Sequence, residues 1–122
     1  MKLNYIEIFI TISTDRVQLL ADFYQQLLQQ KPKIYRIPIY AEFELENLRL
    51  AIFQPKAERQ AEFSNQNSSM SLCLEVENLD KAIAHISNLG YLPPGEIIEA
   101  SHGREIYAYD PEGNRLILHQ SP

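Results

Sequence analysis

Across residues 3–12 the chain alternates. Ile6, Ile8, Ile10 and Ile12 fall on one side, and Glu7, Phe9 and Thr11 on the other. A period of two with β-branched enrichment predicts a strand with one face on a core. Ser13-Thr14-Asp15 then offers helix-capping oxygens. Val17, Leu20, Tyr24, Leu27 and Leu28 recur at three- and four-residue steps, which predicts an amphipathic helix ending before Pro32. Residues 34–40 are β-rich but interrupted by Pro38, an edge or bulged strand. Residues 41–45 and 48–53 are two more strands, joined by a tight turn at Glu46-Asn47.

Residues 54–69 lose all period and turn rich in Gln, Asn, Ser and Glu, a polar connector with a helical stretch around residues 57–61. It reads as a linker, with a lid as the alternative. The pattern then restarts. Leu72, Leu74 and Val76 alternate with Ser71, Cys73 and Glu75. Asn78 caps a second helix with Leu79, Ala82, Ile83, Ile86 and Leu89 on one face, and Gly90 stops it. Tyr91-Leu92 leading into residues 96–100, then 104–109 and 115–120, are β-rich. The element order βαβββ therefore occurs twice, a duplication in structure with little left in the letters. Module one spans residues 1–53, the connector 54–69 and module two 70–122, within one domain. The fold class is α+β, with one helix covering one face of each four-stranded sheet. The opposite faces carry residues of mixed character, and the two sheets brought edge to edge would form a cup suited to a small ligand.

Composition narrows the class. The chain has 122 residues, about one domain's worth. Sixteen acidic against eleven basic residues give a net charge of −5, which argues against a nucleic-acid partner. No apolar run reaches the ~18 residues of a membrane span, and the N-terminus lacks a signal-peptide pattern, so a cytoplasmic protein is expected. The single cysteine, Cys73, excludes a disulfide framework and a cysteine-built zinc site, and is expected as a small buried hydrophobe rather than a nucleophile.

The stretch from His102 and Gly103 through Arg104-Glu105-Ile106-Tyr107-Ala108-Tyr109 to Asp110-Pro111-Glu112-Gly113-Asn114 and Arg115-Leu116-Ile117-Leu118 resembles the closing hairpin of the glyoxalase/bleomycin-resistance proteins of the vicinal oxygen chelate superfamily. Asp-Pro-Glu-Gly-Asn is also a turn in its own right, with Pro presetting φ and Gly supplying a positive one. Asp22-Phe23-Tyr24 with Leu27-Leu28 looks like that family's first helix. The resemblance implies paired βαβββ modules around an open cup, often in a homodimer. It also implies, in the metal-dependent members, His, Gln or Glu ligands on the first and last strands of each module.

Those four positions fall here at Glu7, Ala51, Ser71 and Ile117. A register shift would move the first to Phe9. Alanine and isoleucine have no donor, and a neutral hydroxyl is a poor one. The expectation is therefore a metal-free protein with no cofactor that sequesters a small molecule. Its pocket would draw on Glu7, Phe9, Thr11, Arg49, Ala51, Phe53, Ser71, Cys73, Glu75, Arg115, Ile117 and His119. Phe9, Phe53 and Ile117 would form an apolar floor, and Arg49 and Arg115 above it suit a planar or anionic ligand. Glu7 could pair with either arginine. For Glu7, Glu75, Arg49 and Arg115 the plain alternative is a solvated or salt-bridged strand position, and for His102 and His119 an inert turn or terminal histidine. A second reading is a metal-dependent lyase, isomerase or dioxygenase with relocated ligands, for instance Glu7, Glu75 and His119 or His102. A third is a degenerate scaffold acting through dimerisation.

Overall fold

The structure is a computed structural model describing residues 3–4, 6–63 and 69–122. It divides into two compact units, Met1–Ser64 and Asn65–Pro122. The first holds β1 (Ile10–Ser13), α1 (Val17–Leu28), β2 (Ile34–Arg36), β3 (Tyr40–Glu44), β4 (Arg49–Phe53) and a 3-10 helix, Ala57–Phe63. The second holds β5 (Leu72–Glu75), α2 (Leu79–Asn88), β6 (Ile98–Ala100), β7 (Gly103–Tyr109) and β8 (Arg115–Gln120). The sheet orders are β1-β4-β3-β2 and β5-β8-β7-β6. In each, the outer pair β1/β4 or β5/β8 is parallel and the rest antiparallel. The duplicated βαβββ order is thus what the chain forms.

Periodicity explains the packing. In module one Val17, Leu20, Ala21 and Tyr24 of α1 are fully buried, as are Ala41, Phe43, Leu50 and Ile52 of β3 and β4. In module two Leu79 and Ile86 of α2 are fully buried, as are Ala108 and Leu116 of β7 and β8. Each large apolar side chain so buried stabilises by about 1.5–3 kcal/mol. The alternate residues of every strand necessarily point to the face that carries no helix.

Several expectations need correction. The first strand begins only at Ile10, and Ile6 and Ile8 are fully or largely exposed. Its partner β4 offers a ladder from Leu50, opposite Ile10, so an alternating pattern upstream has no backbone to pair with. Tyr5 of that stretch lies outside the described residues. None of Ser13, Thr14 and Asp15 caps α1. Its N-cap is Arg16, without a side-chain cap, because the Thr14 hydroxyl accepts the Arg16 N–H instead. Residues 34–40 are not one bulged strand. The chain turns between β2 and β3, with the Ile39 N–H donating to the Arg36 carbonyl. Tyr91-Leu92 is not strand, and β6 starts at Ile98.

Other signals hold. The Asn78 side chain accepts the Lys81 N–H and caps α2. Gly90 follows that helix at φ +101°. The Leu45 N–H donates to the Leu48 carbonyl around Glu46-Asn47. The connector is helical where expected, as the 3-10 turn from Ala57, and its Phe63 ring meets Phe53 edge-on at 5.3 Å. Among the described residues no helix is long and apolar enough to cross a membrane.

Candidate functional site

The helix-free face of the first sheet is built by the rows Thr11–Ala51–Glu42 and Ser13–Phe53–Tyr40, with Arg49 beside Glu44. Its charged centre is Arg49. The guanidinium reaches Glu7 at 2.9 Å and the buried Glu42 carboxylate at 3.2 Å, and lies 5.7 Å from the Phe9 ring centroid. Glu42 also accepts from the Tyr40 hydroxyl at 2.8 Å. Burial first, and then that carboxylate, raises the Tyr40 phenol above its ordinary value. Arg49 is thus paired with two carboxylates, one of them the Glu7 partner expected from the sequence.

The helix-free face of the second sheet follows the register set by the Asp110 turn. Tyr109 pairs Arg115, Tyr107 pairs Ile117, and Glu105 pairs His119. On the other side of β8, Cys73 lies beside Ile117 and Glu75 beside His119. Tyr107, Tyr109, Ile117 and Cys73 form a partly exposed apolar floor. Arg115 stands at one end, its Nε donating to the Ser71 hydroxyl at 2.6 Å. Cys73 is exposed, not a buried hydrophobe, because its strand position turns it to the helix-free side. Partial desolvation and then the carboxylates of Glu75 and Glu105 push its thiol up, against any thiolate role.

The other end of that floor is polar. Glu75 Oε1 accepts from His119 Nδ1 at 2.6 Å, while its Oε2 accepts from the Ser121 N–H and hydroxyl. His102, in the turn before β7, places its ring 5.2 Å from that of His119, nearly perpendicular. Its Nε2 is 3.8 Å from Glu105. Hydrogen bonding to Glu75 raises His119 above its ordinary 6.5. Bonds from Ser121 and then His119 hold Glu75 below its ordinary 4.5.

A pH dependence follows. A raised histidine stabilises fully below 6.5 and loses its contribution as pH rises through the raised folded value. A depressed carboxylate stabilises fully above 4.5 and loses it as pH falls through the lowered folded value. The pair therefore contributes most between those two pH values. In an NMR titration with chelator present, Glu75→Gln is expected to bring His119 down toward its ordinary range. An unchanged His119 midpoint would remove the pair from the description.

Of the twelve pocket residues expected, Glu7, Phe9 and Arg49 meet in module one, and Glu75 and His119 in module two. Ser71 and Arg115 also bond each other there. Thr11, Ala51, Phe53, Cys73 and Ile117 sit on the predicted faces, without polar partners among the described contacts. Tyr40, Glu42, Glu105, Tyr107 and Tyr109 were not among those candidates. Strand alternation carried outward from the two turns would have found them, since each shares parity with a named neighbour. A shallow depression of about 360 Å³ beside Asp22, Lys31 and Tyr35 lies away from all these groups.

Of the four positions that the sequence resemblance pointed to, the first, Glu7, lies before β1 rather than on it. Ala51 and Ile117 have no side-chain donor, the Ser71 hydroxyl is held by Arg115, and Glu7 is held by Arg49.

No family model matches the sequence, and no curated protein matches it. Solved structures do. A glyoxalase/bleomycin resistance protein from Catenulispora acidiphila is 20% identical over 97% of this chain and 100% of its own, at a TM-score of 0.69. The fosfomycin resistance protein FosX from Mesorhizobium loti is 15% identical over 98% and 95%, at 0.72. FosX from Listeria monocytogenes, solved with Mn(II) and a dihydroxypropylphosphonic acid, is 16% identical over 96% and 90%, at 0.75. The chain therefore has the glyoxalase/bleomycin-resistance fold.

Proposed function

We propose that this protein is a small-molecule binder of the glyoxalase/bleomycin-resistance type that sequesters its ligand without a metal at the family's four positions. The observation that carries this reading is the donor set. Two of those positions are aliphatic and the other two are engaged by arginines. A metal held there would be almost wholly water-bound and weakly retained. The helix-free face of the second sheet instead supplies a floor of Tyr107, Tyr109 and Ile117, suited to stacking a planar organic ligand. Expected cytoplasmic location and assembly into a homodimer belong to the same reading. Light scattering at twice 14.1 kDa would support the assembly.

The test is a thermal-shift screen of planar aromatic compounds with EDTA present, followed by amide NMR mapping. The expected result is a binder that perturbs Cys73, Tyr107, Tyr109 and Ile117 and is weakened about tenfold by Tyr107→Ala, the equivalent of ~1.4 kcal/mol. No binder, or binding that requires an added divalent metal, would overturn the reading.

A further inference from the structure

We propose that His102, Glu105 and His119 form a site for a divalent transition-metal ion of the zinc class. One donor atom from each lies within 4.8 Å of the other two. Two of the side chains come from adjoining strands with fixed register and the third from the turn that leads into them. Glu105 and His119 are direct cross-strand partners on β7 and β8, so they share a face. His102 occupies the turn from β6 into β7, where Ala100 pairs with Gly103. Its side chain is largely exposed and can rotate, whereas Glu105 and His119 are held with 16% and 14% exposure. Closure onto an ion therefore asks for movement mainly of one exposed imidazole.

Two further observations point at a ligand. The first is the orientation of His119. Glu75 takes its Nδ1, and the Ser121 N–H and hydroxyl in turn fix Glu75. That leaves Nε2 as the ligating nitrogen, in the carboxylate–histidine–metal arrangement by which proteins set the tautomer and aim of a metal ligand. The second is Gly103. A β-carbon there would lie 3.0 Å from His119 Nε2, so only a glycine at this position leaves that nitrogen uncrowded from the β7 side.

Two imidazoles and one carboxylate suit zinc, nickel or cobalt, and are a poor set for calcium or magnesium. Three protein donors leave a position open to water or an oxygen ligand. The site uses none of the four family positions, so it stands or falls apart from the small-molecule reading.

The experiment is titration of untagged, chelator-stripped full-length protein with Co(II), read by visible absorption, and with Zn(II), read by calorimetry, no organic ligand present. Expected are one equivalent bound, and imidazole nitrogen shifts at His102 and His119 but not His85. His102→Ala and Glu105→Gln should each weaken binding at least tenfold, and Glu75→Gln about tenfold through loss of orientation. His102 is exposed in a turn, so unfolding curves of His102→Ala should match the wild type. Absence of saturable binding would overturn the proposal. So would an affinity unchanged by both His102→Ala and Glu105→Gln, which would place the ion elsewhere.

Discussion

Gly103→Ala is expected to destabilise the second module by about 4 kcal/mol. Gly103 has φ +129°, a conformation that a side chain makes costly, and a β-carbon would sit 2.2 Å from the Gln120 carbonyl oxygen. That oxygen is backbone of β8 and cannot swing aside as a side chain would. Relief requires β7 and β8 to part just where Arg104 pairs Gln120 and Glu105 pairs His119. The loss should appear as a lower urea midpoint, and the His119 ring resonances should shift with it. Two other glycines calibrate the reading. Gly113→Ala, at φ +82° with open space around it, should cost about 1 kcal/mol from backbone strain alone. Gly95→Ala, with neither constraint, should stay within about 0.5 kcal/mol of wild type. Equal effects at Gly103 and Gly113 would mean that the close approach to Gln120 does not matter.

Asp110→Ala is expected to cost about 3 kcal/mol. This carboxylate is only 3% exposed. Its Oδ1 accepts from the Glu112 and Asn114 N–H groups at 2.9 and 3.0 Å, and the Asn114 amide bonds both oxygens. Alanine would leave several donors in a tight turn without an acceptor, whose desolvation is not refunded on folding. Asp110→Asn keeps one oxygen and should lose less than half as much. The functional consequence is register. The turn sets Tyr109 opposite Arg115, and counting along the ladder then sets Glu105 opposite His119. A one-residue slip would send His119 to the helix side. An Asp110→Ala protein with wild-type stability would show that Pro111, Gly113 and the strands suffice.

Both substitutions act on a hairpin that was readable in the letters. Asp-Pro-Glu-Gly-Asn prescribes its own turn through a fixed φ, a positive φ and a side-chain acceptor, all local properties. Strand alternation and helical spacing are local too. From them came the duplicated βαβββ order, the helix-facing core, and the face on which Ala51, Ser71, Cys73, Ile117 and His119 lie. The absence of donors at two of the four family positions is a fact of residue identity, and no folding can change it.

What pairs with what was decided by tertiary structure. Isoleucines at 6 and 8 alternate as well as those at 10 and 12, yet only the latter pair have β4 beside them. Arg49 could have faced a ligand. It faces Glu7 and Glu42 because sheet register places one and the incoming chain the other beside it. Cys73 is exposed because burial depends on whether a helix covers that face, which composition does not say. His102, Glu105 and His119 converge because a hairpin folds residues far apart in the chain onto neighbouring positions of one face. The sequence by itself determined the elements, the turn and each residue's side of its sheet, since these follow from backbone geometry over a few residues. Only the tertiary structure decided which side chains on those faces meet, because distances across strands are set by register and packing rather than by spacing along the chain.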